Sequence, residues 1–386
     1  MIELLAVFSD LTPVTPLTRA VGKLGVRGAT RALKNLEIEV CLKALVQRGL
    51  VLEFGGFRLE DKLAHAVRLD LVRAGRFAAL AAIVRELRPV VENSWAPPLP
   101  ALSARELRLE LYPGRWDEVR ARMATLPRTL FAAVCQPFDA AWVSGFPADI
   151  RSHALAGIVE HADVTLRPAA APFALLAQQA HLSNTEHSVL VEHLILSGEL
   201  DEAERRLALH PAPESDVARA WLLLLRGQPT AAVAAYEAAL KPFLKTHGYR
   251  ALLFPGRPGL FLVVALLASG TSAHLARAVE LTTQARGKRE LPFKETFAVL
   301  AEALAVLSGR TNLDALGFPH RAQEALQQRD VIEILIAAAA CAWISLRLPP
   351  PLAQELDARR RLAEAAGLRW VAAQAADLQA ARGASS

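Results

Sequence analysis

Apolar residues recur with helical spacing over most of the chain, and Asp216–Leu240 shows the pattern most plainly. Trp221, Leu222, Leu224 and Leu225 form the buried band of a helix expected over Val217–Arg226. Gly227 supplies the left-handed backbone that ends a helix. Thr230 is then placed to cap a second helix, on which Val233, Tyr236, Ala239 and Leu240 return to one face. Ala220, Ala232 and Ala239 fall where two helix backbones must come close. The same alternation of helix, glycine and helix predicts pairs around Gly75 (Asp61–Ala74, Arg76–Leu87), Pro113-Gly114 (Ser103–Tyr112, Trp116–Leu126) and Gly198 (Glu186–Ser197, Leu200–Leu209). Gly270 and Gly309 close two further apolar helices, Leu260–Ala268 and Phe293–Leu307. Between the pairs, Pro127, Pro137, Pro147, Pro168 and Pro172 punctuate shorter helices such as Ala148–His161 and Pro172–His181. Gln323–Leu346 and Leu352–Leu378 read as helices separated by Pro349-Pro350-Pro351.

The first sixty residues follow another plan. Short helices are expected over Ile2–Ser9, over Leu17–Leu24 behind Thr15-Pro16, and over Glu37–Arg48 behind Asn35, with Ile38, Leu42, Ala44 and Leu45 apolar. Gly49–Phe54, the turn Gly55-Gly56 and Phe57–Glu60 then alternate as a hairpin does. Three helices and a two-stranded wing are the parts of a winged helix-turn-helix. The run LKALVQRGLVLEFGGFRLEDKLAHAVR resembles the winged-helix ending of many DNA-binding regulators, and also the winged module ahead of the helical repeats in STAND-type NTPases. Downstream, the hairpin at Gly227 resembles a tetratricopeptide repeat: a small residue, then Gly, Ala, an aromatic and Ala at fixed offsets. The glycine-to-glycine intervals are uneven, which implies divergent hairpins of varying helix length. Such hairpins bury their apolar faces only against neighbours.

The expected fold is therefore all-α: a tetratricopeptide-like α-hairpin superhelix over residues 61–378, preceded by a winged helix over 1–60 and followed by a disordered tail at 379–386. One stretch, Thr246–Phe261, breaks the pattern with Pro255-Gly256 and Pro258-Gly259. It resembles FPG–GLF segments in the N-terminal helical regions of some bacterial SNF2-type helicases, which implies an accessory module whose ATPase motor lies elsewhere. Otherwise it is an inter-hairpin loop, or a concave anion-binding patch to which Arg250 and Arg257 contribute as partner-binding residues.

Composition narrows the reading little further. Over 386 residues, 53% are hydrophobic and only 6% aromatic, which suits a helical core rather than disorder. The three cysteines, Cys41, Cys135 and Cys341, are far apart and odd in number, as small core residues of a reduced compartment would be. Ile2–Phe8 lacks a basic leader, and the apolar runs Gly259–Gly270 and Ile334–Leu346 are too short to span a bilayer. A cytoplasmic protein without membrane attachment is expected.

Charge bears on the partner. The net charge of +5 is slight for this length, but Leu11–Lys34 contains no acid, so Arg19, Lys23, Arg27, Arg31 and Lys34 could lie along phosphates, joined by Lys43, Arg48 and Arg58 of the presumed recognition helix and wing. Against this, that helix opens with Glu37 and Glu39, where base reading wants Arg, Lys, Asn or Gln.

Catalytic patterns are missing from the sequence. Gly22-Lys23 and Gly287-Lys288 lack the glycine and hydroxyl of a phosphate loop. His181, His187 and His193 recur every six residues, a spacing that does not stack ligands on one helix face. Glu202/Arg205 and Asp117-Glu118 with Arg120 fit solvated helix faces, and the six tryptophans fall one per segment as core anchors. A non-enzymatic scaffold is expected, without cofactor or metal, holding a protein partner; the alternative is a DNA-binding regulator with a helical sensor domain.

Overall fold

A computed structural model describes residues 1–25, 34–87, 100–210, 213–247, 253–254, 257–286, 293–310, 330–344 and 350–380. The fold is all-α apart from one small antiparallel wing. It divides into two compact units, Met1–Ile158 with Ala174–Gln179, and Val159–Phe173 with Ala180–Ser386.

The first unit opens with α1 (Ile2–Phe8), α2 (Val14–Lys23), α3 (Asn35–Gln47), β1 (Val51–Glu53) and β2 (Phe57–Leu59). Val51 pairs with Leu59 and Glu53 with Phe57 around the turn at Gly55, whose φ is 67°. Thr12 adds a bridge to Phe57 through two backbone hydrogen bonds of 2.9 and 3.0 Å. Two expected helix starts shift. Pro13, not Thr15, precedes α2, and α3 begins at Asn35 because the Lys34 N–H donates to the Glu37 carboxylate at 2.7 Å. The unit continues through α4 (Asp61–Arg73), α5 (Phe77–Leu87), α6 (Pro100–Leu111), α7 (Trp116–Met123), α8 (Leu130–Val134) and α9 (Ala140–Ser144). Leu5, Phe8, Leu17, Ile38, Leu42, Val51 and Leu59 share one core with Leu71, Phe77, Val84 and Tyr112. The winged elements therefore bury their apolar faces partly against α4 and α5, which α1 touches directly.

α10 (Ala148–Thr165) and α11 (Ala170–Ala177) come next; α10 is one long helix where a shorter one is expected. The hairpins of the second unit follow: α12 (Asn184–Leu196), α13 (Leu200–Leu209), α14 (Pro213–Leu225), α15 (Pro229–His247), α16 (Arg257–Ser269), α17 (Ser272–Arg286), α18 (Lys294–Leu307), α19 (Val331–Trp343), α20 (Pro350–Ala366) and α21 (Arg369–Ala380). Sequence neighbours pack on each other from α12 to α19. The six glycines that delimit the expected pairs, from Gly75 to Gly309, all take φ between 67° and 79°. At Gly227 the Gln228 N–H reaches back to the Leu223 carbonyl at 3.0 Å and closes α14. Tyr236, Ala220 and Ala232 are fully buried at the α14–α15 contact, and Val233, Ala239 and Leu240 nearly so.

Some details differ from expectation. Pro229 starts α15, so Thr230 lies inside its first turn instead of capping it; proline suits that position because its missing N–H would have no helical partner. Leu224 and Leu225 are only half-buried. Gly367, with φ 78°, splits the expected helix Leu352–Leu378 into α20 and α21, and α21 runs on to Ala380; residues 381–386 lie outside the described residues. Cys41 is exposed, not a core residue: it lies at the edge of the α3 face that Ile38 and Leu42 bury. Trp221 is the buried anchor expected; Trp116, Trp142, Trp343 and Trp370 are half-buried, and Trp95 lies outside the described residues.

The last helix does not stop at the end of a row. α21 packs on α19 and α20 and also returns to α12. Arg369 donates to the Ser197 carbonyl at 3.1 Å and pairs with Glu199, while Trp370 meets Trp221 edge-on at 5.9 Å.

Candidate functional site

α3 turns Ile38 and Leu42 into the core, and its opposite face carries apolar residues as well. Leu36 is 71% and Val40 62% exposed, one helical turn apart, and Ala44 follows on the same face. Phe54, at the tip of the wing, is 72% exposed. Apolar side chains this open are ordinary when scattered singly, but two on one turn of one helix are an unpartnered face. The sequence signal was present in the i, i+4 spacing of Leu36 and Val40, offset from the Ile38–Leu42 face.

The candidate nucleic-acid residues fall into three groups. Lys43 pairs with Glu39 at 3.1 Å, Arg58 with Asp61 at 3.6 Å, and Lys23 with Glu86. Arg19, Lys34 and Arg48 are exposed. Arg27 and Arg31 lie outside the described residues, as does Arg250. Exposed ion pairs contribute little to stability, but each acid cancels part of the potential that would draw phosphates.

Arg257 is not an open surface charge. At the start of α16 its Nε donates to Asp330 at 3.0 Å, and Nη1 lies 3.6 Å from Glu192. Burial opposes its charge, but Asp330 and Glu192 outweigh that and hold it more firmly protonated than usual. The side chain borders a cavity of about 40 Å³ between Trp221, Tyr236, Phe261 and Glu192.

Two polar groups pair a buried histidine with an aspartate, as some catalytic arrangements do. In the first unit, Tyr112 lies 2.7 Å from His65 Nδ1, and His65 Nε2 lies 3.1 Å from Asp139. Arg68 Nη1 donates to the Tyr112 oxygen at 3.3 Å, so the Tyr112 O–H is given to Nδ1 and Nε2–H to Asp139. Tyr112 is 4% exposed, stacked on Trp142 at 4.5 Å. Arg68 also donates to the Ala6 carbonyl at 2.6 Å, so the group ties α1, α4 and α9 together. The carboxyl of Asp139 is held below its usual range by the Trp142 N–H that it caps, and then by His65. In the second unit His193 bonds to Asp163 at 2.7 Å, with both side chains buried, and its ring lies against Phe173. Burial pushes the Asp163 carboxyl upward, against the pull of His193.

His187 packs on the ring of His210 and His181 is exposed, so the three histidines do not converge. Burial pushes the Cys135 and Cys341 thiols up to about 12, out of the nucleophilic range. Among the described residues there is no cluster of three or more His, Cys, Asp or Glu placed to hold a metal, and no helix long and apolar enough to cross a membrane. No protein-family model matches the chain, and no curated protein is significantly similar to it.

Proposed function

We propose that this chain is a non-catalytic interaction module that holds a protein partner through the outer face of α3 and the wing. The observation that carries the reading is the exposure of Leu36, Val40 and Phe54 on elements that turn Ile38, Leu42, Val51, Phe57 and Leu59 into the core. A base-reading helix needs donors near its N-terminus; α3 offers one, Asn35, whose amide turns to the Thr15 hydroxyl at 3.4 Å, followed by Leu36, a Glu37 carboxylate turned to its own backbone, and Glu39 engaged with Lys43. His193 and Asp163 are both buried, and His65 is buried beside a half-exposed Asp139 that also caps α9, which supports a structural role for both pairs. The resemblance to helicase accessory regions and STAND-type arms makes an ATPase the partner to try first.

Cys41 provides the test, since its thiol is exposed on the same helix. A photoreactive maleimide placed there should crosslink the partner in the wild type and fail to do so in Val40→Asp. A mixed-sequence duplex should show no salt-sensitive anisotropy change at about 50 mM salt. Duplex binding that is lost on charge reversal of Arg19, Lys34 and Arg48 would replace this reading with the DNA-binding regulator.

A further inference from the structure

Three side chains of the second unit line one cavity and each carries a hydrogen-bond donor without a partner among the described residues. Tyr236 of α15 is fully buried and its hydroxyl has no partner among the described residues. Trp221 of α14 is 4% exposed and its indole N–H is likewise unpaired. Arg257 spends Nε on Asp330 but leaves the buried Nη2 unused. All three line the cavity of about 40 Å³ beside Phe261 and Glu192. Buried polar atoms are nearly always satisfied, so three donors without a partner among the described residues, on side chains that line one space, mark a place suited to an acceptor.

Charge decides which acceptor. The single positive charge of Arg257 is already met by Asp330 and Glu192, so an arriving anion would find no net attraction. Size decides how much enters. A space of this volume admits one small polar group and not a whole cofactor, so the rest of the ligand stays at the mouth. The mouth offers the half-exposed Glu192 carboxylate, an acceptor for an N–H, and the walls offer the rings of Trp221 and Phe261.

We propose that this cavity binds an uncharged amide, presented by an extended peptide segment, with its oxygen toward Tyr236, Trp221 and Arg257 and its N–H toward Glu192. The proposal does not depend on the α3–wing surface and stands if that surface has another use.

The indole N–H of Trp221 is the reporter. Its nitrogen–proton resonance, assigned by its loss in Trp221→Phe, is followed in the full chain during titration with 4-methylpentanamide and, separately, with 4-methylpentanoate, which has the same carbon skeleton and no amide. The amide should give a saturable shift, and the carboxylate should bind about tenfold more weakly. Tyr236→Phe removes a hydroxyl without a partner, should fold as the wild type does, and should weaken amide binding several-fold. Should that variant not fold, Glu192→Ala serves instead. It removes the acceptor and a negative charge, and should narrow or reverse the preference for amide over carboxylate. The proposal is overturned by an unmoved Trp221 resonance up to about 50 mM amide, a generous limit for a fragment of this size. Equal or tighter binding of the carboxylate overturns it too, as does an amide affinity untouched by both variants.

Discussion

Glu333 offers the sharpest test of the electrostatics in the second unit. It is 2% exposed on α19, and the Thr296 hydroxyl donates to it at 2.5 Å. Burial pushes its carboxyl up to about 7; the Thr296 bond opposes the shift, Asp330 adds to it, and Arg257 pulls it back. An acid whose folded pKa is raised binds its proton more tightly in the folded state. Stability is therefore highest below the unfolded value of 4.5, declines as pH rises toward about 7, and stays reduced above it. The gap between those values corresponds to a penalty of about 3 kcal/mol when the carboxylate is fully charged. Glu333→Gln keeps an oxygen for Thr296 and removes the charge. Urea unfolding followed by circular dichroism should find the variant more stable than the wild type by up to about 3 kcal/mol near pH 8, with the two converging near pH 4. Contributions from groups that do not sense the Glu333 charge cancel in the difference. A stability difference that does not change with pH would refute the assignment of a protonated, desolvated carboxyl at this position.

Two further substitutions probe the packing. Trp221→Ala, which removes an indole stacked on Phe261 at 4.6 Å and touching Trp370, should cost about 3–5 kcal/mol of unfolding free energy, and unchanged thermal unfolding would remove the α14–α15 hairpin from the core. Gly259→Ala would place a Cβ 2.2 Å from the Phe254 carbonyl oxygen, so despite alanine's better helix propensity it should lose about 1–3 kcal/mol; a gain in melting temperature would show that the close approach is not required.

The hairpins were legible because each rests on local rules. A left-handed glycine, a small residue at the crossing and an apolar residue every third or fourth position are visible within one window, and Gly227, Ala232 and Tyr236 behave accordingly. The wing was legible for the same reason, through Gly55-Gly56 between alternating strands. Pairings set by distant parts of the chain were not. Nothing near Arg257 in sequence announces Asp330, nothing near His65 announces Asp139, and nothing near His193 announces Asp163. The FPG–GLF stretch had a local cause hidden in tertiary detail: Phe254 is buried against Phe243, and its carbonyl leaves no room for a side chain at Gly259. The exposed condition of Leu36 and Val40 needed the structure, since apolar residues on a helix read as core until a buried face is seen elsewhere.

The return of α21 to α12 changes what kind of object the second unit is. A row of hairpins free at its end can fray from that end and can be lengthened by duplicating a hairpin, because each repeat answers only to its neighbours. Here α21 is also a neighbour of the α12–α13 hairpin, through Arg369 on the Ser197 carbonyl, and of α14, through Trp370 on Trp221. A hairpin inserted between them would have to part that contact. α12 and α21, far apart in sequence, are thus tied directly, so loosening either one withdraws support from the other.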